Sequence, residues 1–225
     1  MKHVLYVLAF TFSLNILSQG DNSAINTLKL ENSQQEGGLV GSIEKTPKEI
    51  SGSYHLFKGW NNHGLIHAKN DKYYKIKNIN FNIKNNFFEY KNDKDSIVGF
   101  DLNGSEILVN SKRFKSFHFN KTNDDKIFEI IWDNDLFILL KDYSTEVKKI
   151  KPEGYKDFSS DKYIVRKTYY LIKDNKIGKF KLSKKNVLGL LKLNSESIEK
   201  YVKQNKLSYK KDKDLKIIFD YYNSL

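Results

Sequence analysis

Residues Ile127–Leu140 read IFEIIWDNDLFILL, two dense apolar runs that meet across Trp132-Asp133-Asn134-Asp135. An aromatic and β-branched run, a break of turn-forming residues and a second apolar run make the pattern of a β-hairpin. Side chains alternate along a strand, so Phe128, Ile130 and Trp132 are expected on one face and Ile127 and Ile131 on the other. Across the turn Leu136, Ile138 and Leu140 oppose Phe137 and Leu139. Both faces are apolar, and a strand covered on both sides sits centrally with something packed on each. The hairpin is therefore expected in the middle of a sheet.

Outward from it, short strand-like segments recur between turn signals. Ile97–Leu102, Glu106–Val109, Arg113–Phe119, Ser144–Ile150, Lys162–Ile172 and Lys176–Leu182 are separated by Asn103-Gly104, Asn123-Asp124-Asp125, Pro152-Glu153-Gly154 and Asp174-Asn175. This spacing predicts an antiparallel meander, sandwich or half-barrel, with a second hairpin over Tyr169–Ile177. Upstream, Tyr54–Leu56 and Leu65–Ile66 read as short strands around a turn at Trp60–Gly64. From Tyr74 to Phe88 the alternation slips phase, with Tyr74 and Ile76 on even positions and Ile79, Phe81 and Ile83 on odd ones; a bulge near Asn78 would repair it. Beyond Leu182 the period becomes helical: Val187, Leu190 and Leu191, then Ile198, Tyr201 and Val202, then Leu215, Ile218, Phe219 and Tyr222. Ser183, Asn194 or Ser195, and Asp212 are the expected N-caps. Helices this short must dock on an apolar surface, and a hairpin face supplies one. The expected fold is α+β: mainly antiparallel β over 52–182, with three short C-terminal helices over 183–225 packed on the sheet.

With 225 residues, 39% of them hydrophobic and 14% aromatic, the chain can build one good core. The formal charge of +12 invites a nucleic-acid reading, yet Arg occurs only at Arg113 and Arg166, so nearly all the positive charge is Lys. Arg is the residue that grips phosphates and guanines with paired hydrogen bonds, and its scarcity argues against specific nucleic-acid binding. A joint excess of Lys and Asn is also what an A/T-rich genome produces. Cysteine is absent, which excludes a disulfide framework, thiol catalysis, Cys-ligated metal and acylation on an N-terminal Cys.

Met1-Lys2-His3, an apolar run over Val4–Leu17 and Ser18-Gln19-Gly20 have the form of a cleaved secretory signal peptide, residues 1–20, and predict a periplasmic or extracellular protein. No second run approaches the roughly 20 apolar residues of a membrane span. Residues 21–51, rich in Asn, Ser, Gln and Gly, read as a polar and flexible arm.

Chemistry-bearing residues are few. His55, His63 and His67 are close in sequence and imidazole is a common metal ligand, but the Gly64 turn separates them, so they are weak metal candidates. Glu129 is the one acid inside an apolar strand, with Arg166 a conceivable partner; a buried carboxylate of this kind can serve proton transfer or be a paired structural charge. Trp60 with Tyr54, Phe57, Tyr73 and Tyr74 could form an aromatic platform for a sugar or apolar ligand, or simply pack in the core. No nucleophile elbow, phosphate-cradling loop or dinucleotide fingerprint is present, and no cofactor is implied.

GSYHLF at Gly52–Phe57 followed by Trp60, INFNIKNNFFEY at Ile79–Tyr90, FEIIW and LFILLK in the hairpin, and the ending DLKIIFDYYNSL resemble exported β-rich proteins of Bacteroidetes-type bacteria, a family without an assigned function. The resemblance implies a Gram-negative envelope. The expectation is a non-catalytic exported module whose partner is an envelope protein, a glycan or a lipid. The alternatives are a carrier of an apolar ligand in a curved half-barrel and a hydrolase-like enzyme using Glu129, a His and Arg166.

Overall fold

The computed structural model describes residues 50–119, 125–149 and 161–225. The signal-peptide segment, residues 21–49 of the arm and the Pro152-Glu153-Gly154 turn lie outside the described residues. The described part is mainly antiparallel β with three short C-terminal helices.

The hairpin forms as expected and is central. Strand β8 (Asp125–Asp133) and strand β9 (Ile138–Lys148) occupy the middle of an open eight-stranded sheet. Its order is β11 (Lys176–Lys179), β10 (Lys162–Lys173), β9, β8, β7 (Lys112–His118), β6 (Glu106–Val109), β1 (His63–His67) and β2 (Tyr73–Lys77), every neighbour antiparallel. A second open sheet holds β3 (Ile79–Asn82), β4 (Phe87–Lys91) and β5 (Ile97–Phe100). The expected second hairpin is β10–β11, turned by Asp174 and Asn175 at φ 49° and 57°, the left-handed pair that a two-residue hairpin loop requires.

Three details depart from simple alternation. The segment expected as a separate strand at Ser144–Ile150 continues the hairpin, giving β9 eleven residues. Between Ile130 and Trp132 the β8–β9 register shifts by one, from Ile130↔Leu140 to Trp132↔Leu139. This bulge turns Trp132 away from Phe128 and Ile130 and places it with Ile131, against the helices. The phase slip at Asn78 is no bulge within one strand: Asn78 adopts φ 53° and the chain leaves the large sheet after Lys77 to begin the small one at Ile79. Tyr54–Leu56 does not form a full strand. It lies along β3 by one His55↔Asn82 bridge and the bonds Leu56 N–H to Phe81 O and Ile83 N–H to Tyr54 O.

Helix α1 (Lys184–Leu190), a 3-10 turn (Lys192–Asn194), α2 (Ser195–Gln204) and α3 (Asp212–Asn223) follow. Ser183 caps α1 by accepting the Asn186 N–H. Asn194 makes no side-chain cap bond, and Asp212 is the first helical residue of α3 with its carboxylate committed elsewhere. The periodic residues are buried: Val187 and Leu191, Ile198 and Val202, then Leu215, Ile218 and Phe219.

One face of the large sheet carries two cores. Towards β1, β6 and β7, Ile107, Val109 and Phe114 pack against Ile79, Phe81 and Phe88 of the small sheet. Towards β10, Ile131, Phe137 and Leu139 pack under the three helices. The opposite face carries a third cluster, Phe128, Ile130, Leu140 and Tyr170, flanked by Phe117 and Phe119. Both faces of the hairpin are thus covered, as its composition requires. Gly64 admits a close approach in the first core: a Cβ there would lie 2.8 Å from Ile76 Cγ2 and 3.2 Å from Ile107 Cδ1. Gly64→Ala is expected to cost about 1–3 kcal/mol by overpacking, read as a lower urea midpoint at unchanged slope.

Candidate functional site

Two constellations of polar side chains are built into this frame. The first runs along the seam between the two cores. Lys112 on β7, Glu129 on β8, Lys141 and Tyr143 on β9, Tyr169 on β10 and Asp212 at the start of α3 form one network. Strand pairing sets most of it, because Glu129 lies opposite Lys141 and Lys141 opposite Tyr169. Lys112 Nζ donates to Glu129 Oε1 at 2.8 Å and Lys141 Nζ to Glu129 Oε2 at 3.0 Å, while the Tyr143 hydroxyl donates to the same Oε2. Lys141 also pairs with Asp212, and Tyr169 donates to Asp212 Oδ1 at 2.7 Å. Lys141 is 1% exposed and Glu129 3%, so these are charges largely removed from water.

Two cations and two carboxylates balance, as burial demands. Burial pushes the Glu129 carboxyl up, but the Lys141 charge and hydrogen bonds from Lys112 and Tyr143 more than offset this and hold it below the ordinary carboxylate value. Tyr143 and Tyr169 are pushed up, by burial first and then by the carboxylates they serve. At neutral pH Glu129 is therefore ionised and both phenols are protonated. Such a group suits neither a general acid nor a phenolate base; it ties α3 to the sheet. Arg166 takes no part. It lies three residues from Tyr169, hence on the other face of β10, and its Nε donates to Glu146 at 3.0 Å on the surface.

The second constellation lies where the Tyr54–Asn62 segment covers the small sheet. Asn80 and Asn82 on β3 and Glu89 on β4 share the sheet face turned from the core, since Asn80 is opposite Glu89 while Ile79, Phe81 and Phe88 face inward. Asn80 clamps the covering segment, its Oδ1 accepting the Phe57 N–H at 3.0 Å and its Nδ2 donating to Phe57 O at 2.9 Å and Gly59 O at 2.8 Å. Asn62 extends the clamp by donating to Ile79 O at 3.0 Å. The clamp brings His55 over Glu89, with His55 Nε2 2.6 Å from Oε2 and Asn82 Nδ2 donating to Oε1 at 2.7 Å. Around this pair gather the rings of Tyr54, 4.6 Å from His55, and Trp60, 5.0 Å from it, with Lys91 Nζ 5.5 Å from the Trp60 ring centroid. Trp60 and Tyr54 are half-buried, leaving part of each ring to solvent.

Of the aromatic candidates named from the sequence, Tyr54 and Trp60 are thus brought together around His55, whereas Phe57 turns into the core against Phe114 and Tyr73 and Tyr74 stand exposed on the edge strand β2. The three histidines are not brought together. His67 stacks on Tyr73 at 4.5 Å and bonds Asp71, and His63 lies at the other end of β1. Among the described residues no group of three or more His, Asp and Glu side chains is placed to hold a metal ion. Glu89 and Asn82 went unseen in the sequence because INFNI reads as a strand with one wet face. The Tyr54–Asn62 cover is what makes both faces buried.

Compared with known proteins, the chain matches no family model, no curated protein and no solved structure.

Proposed function

We propose that the chain is an exported, non-catalytic binding module of a bacterial envelope and that it takes a glycan at the aromatic cluster around His55 and Glu89. One observation carries this reading: the Tyr54 and Trp60 rings flank His55, whose ring is fixed by a carboxylate that Asn82 holds by its other oxygen. A sugar offers an apolar C–H face and a rim of hydroxyls. Rigid rings bury the first at little entropy cost, and the His55 imidazole, held in place by Glu89, and the Lys91 ammonium bond the second.

Two observations favour binding over catalysis. Both oxygens of Glu129 are occupied by cations and a phenol, and the Ser53 hydroxyl accepts the His55 backbone N–H instead of serving its ring. Packing favours a surface site over an apolar carrier, because the buried residues of the three clusters pack against one another on the two faces of the sheet. No helix among the described residues is long and apolar enough to cross a membrane.

The test is a glycan array probed with labelled protein, followed by calorimetric titration of any sugar retained. Trp60→Ala is expected to weaken binding at least about tenfold, the loss of one stacking platform. Glu89→Gln should weaken it less, since the amide keeps one oxygen that can hold His55 in place. Retention of no glycan by the wild type, or equal retention by Trp60→Ala, rejects the site.

A further inference from the structure

The helical end of the molecule presents a different surface. Leu193, on the 3-10 turn between α1 and α2, is 92% exposed, and Leu136, at the tip of the central hairpin, is 58% exposed. These leucines come from elements far apart in sequence, yet both line one cleft of about 640 Å³ floored by Phe137, Phe180, Leu190 and Tyr222. Among the described residues neither leucine belongs to a packed core cluster, and exposed side chains of this size converging from separate elements mark a contact surface.

The surrounding charge is one-sided. Residues 176–216 contain thirteen Lys, no Arg and only four Asp or Glu, so the segment is strongly cationic. All but Lys216 of those lysines are exposed. Three of the four acids are already engaged: Glu199 with Lys184, Asp212 with Lys141 and Tyr169, and Asp214 with the Ser208 N–H. The lining of the cleft is itself neutral, Lys173 and Lys192 against Asp135 and Asp174. Attraction therefore comes from the lysines around the cleft, Lys176 at the start of β11 and Lys185 one helical turn before Gly189 among them, while contact at the cleft is apolar.

We infer that this end docks on an anionic phospholipid bilayer, with Leu136 and Leu193 entering the lipid at the level of the acyl chains. Lysines without arginine attract a field of charge and do not grip single phosphates, which suits a lipid surface. A soluble polyanion such as a nucleic acid or an acidic polysaccharide would satisfy the lysines, but it has no apolar interior for the two leucines. The docked state is peripheral and reversible, resting on two small anchors and diffuse attraction.

Cosedimentation of the full chain with vesicles tests this. Vesicles of phosphatidylcholine and phosphatidylglycerol in equal parts are expected to bind it, and pure phosphatidylcholine vesicles to bind it far less. Binding should weaken as salt rises, because the range of attraction shrinks from about 30 Å at 0.01 M to about 8 Å at 0.15 M. The double variant Leu136→Ser/Leu193→Ser should bind the anionic vesicles about tenfold or more weakly, since each leucine withdrawn from lipid forfeits its transfer energy. Lys185→Gln/Lys192→Gln should bind less and with a shallower salt dependence. Lys75→Gln/Lys77→Gln, on the edge strand β2, should bind as the wild type does. Every variant keeps the same N-terminal apolar run, so the differences report on the helical end alone. Absence of binding to the anionic vesicles, leucine variants that bind undiminished, or an equal loss on removing Lys75 and Lys77 overturns the inference.

Discussion

Lys141→Met is expected to lower the unfolding free energy by about 3–5 kcal/mol, the cost of leaving buried carboxylates without their cation. Lys141 is 1% exposed and bonds both Glu129 and Asp212, so its loss unbalances the whole seam. Urea unfolding at several pH values separates this from a packing defect. In the wild type the folded state holds Glu129 below its ordinary value of 4.5, so this stabilisation is complete above that pH and is lost as pH falls through the lower folded value. Without Lys141 the burial effect, which raises the carboxyl, loses its main opponent. The difference between wild type and variant should therefore be widest near neutral pH and narrow below 4.5. A difference constant across that range would mean that Lys141 acts through its methylenes. Glu129→Leu/Lys141→Met should be more stable than Lys141→Met alone, because exchanging a buried pair for apolar groups costs less than breaking it.

Phe114→Ala carries the second large effect, about 3–5 kcal/mol from lost burial and the cavity left behind. The ring is fully buried and meets Phe81 at 5.6 Å, Phe88 at 5.3 Å and Phe57 at 6.3 Å, so it joins both sheets and the covering segment. Denaturant titration gives the magnitude. In a Trp60→Phe background, where Trp132 is the one tryptophan and packs on Phe219 in the other core, the near-ultraviolet circular dichroism of tryptophan should keep its native signal in the folded variant. Loss of that signal would show that the two cores are not separately packed.

The main elements of this fold were legible in the residues. Two apolar runs around Asn134-Asp135 give the central hairpin, and the change from period two to period 3.6 after Leu182 gives the helices. What escaped depends on long-range partners. A register shift of one residue at Ile130 reversed the face of Trp132, and nothing in IFEIIWDN announces it. Asn78 looked like a local irregularity because alternation says nothing about which sheet a strand joins. For Glu129 the partner was one position out of reach: a hairpin turning at Asn134-Asp135 pairs positions equally distant from the turn, which puts Leu140 across from it, and the observed register sets Lys141 there instead. Arg166 matches Glu129 in charge alone, and its position on the other face of β10 follows only from the β9–β10 register. Lys112 and Asp212 required the tertiary fold. The abundant Asn looked like a compositional background, but Asn62, Asn80 and Asn82 are buried: the first two hold the Tyr54–Asn62 segment against β3 and the third fixes Glu89 beneath His55.

The ionic seam also bears on how the molecule opens. Where a helix rests on apolar contacts alone, lifting it wets only hydrocarbon. Lifting α3 here also lets water reach Lys141, Glu129 and Asp212, and their regained hydration repays part of the cost of opening. The helical layer is therefore the less resistant half. Its amides are expected to exchange with solvent deuterium ahead of those of β7 and β8, and to do so without unfolding of the small sheet.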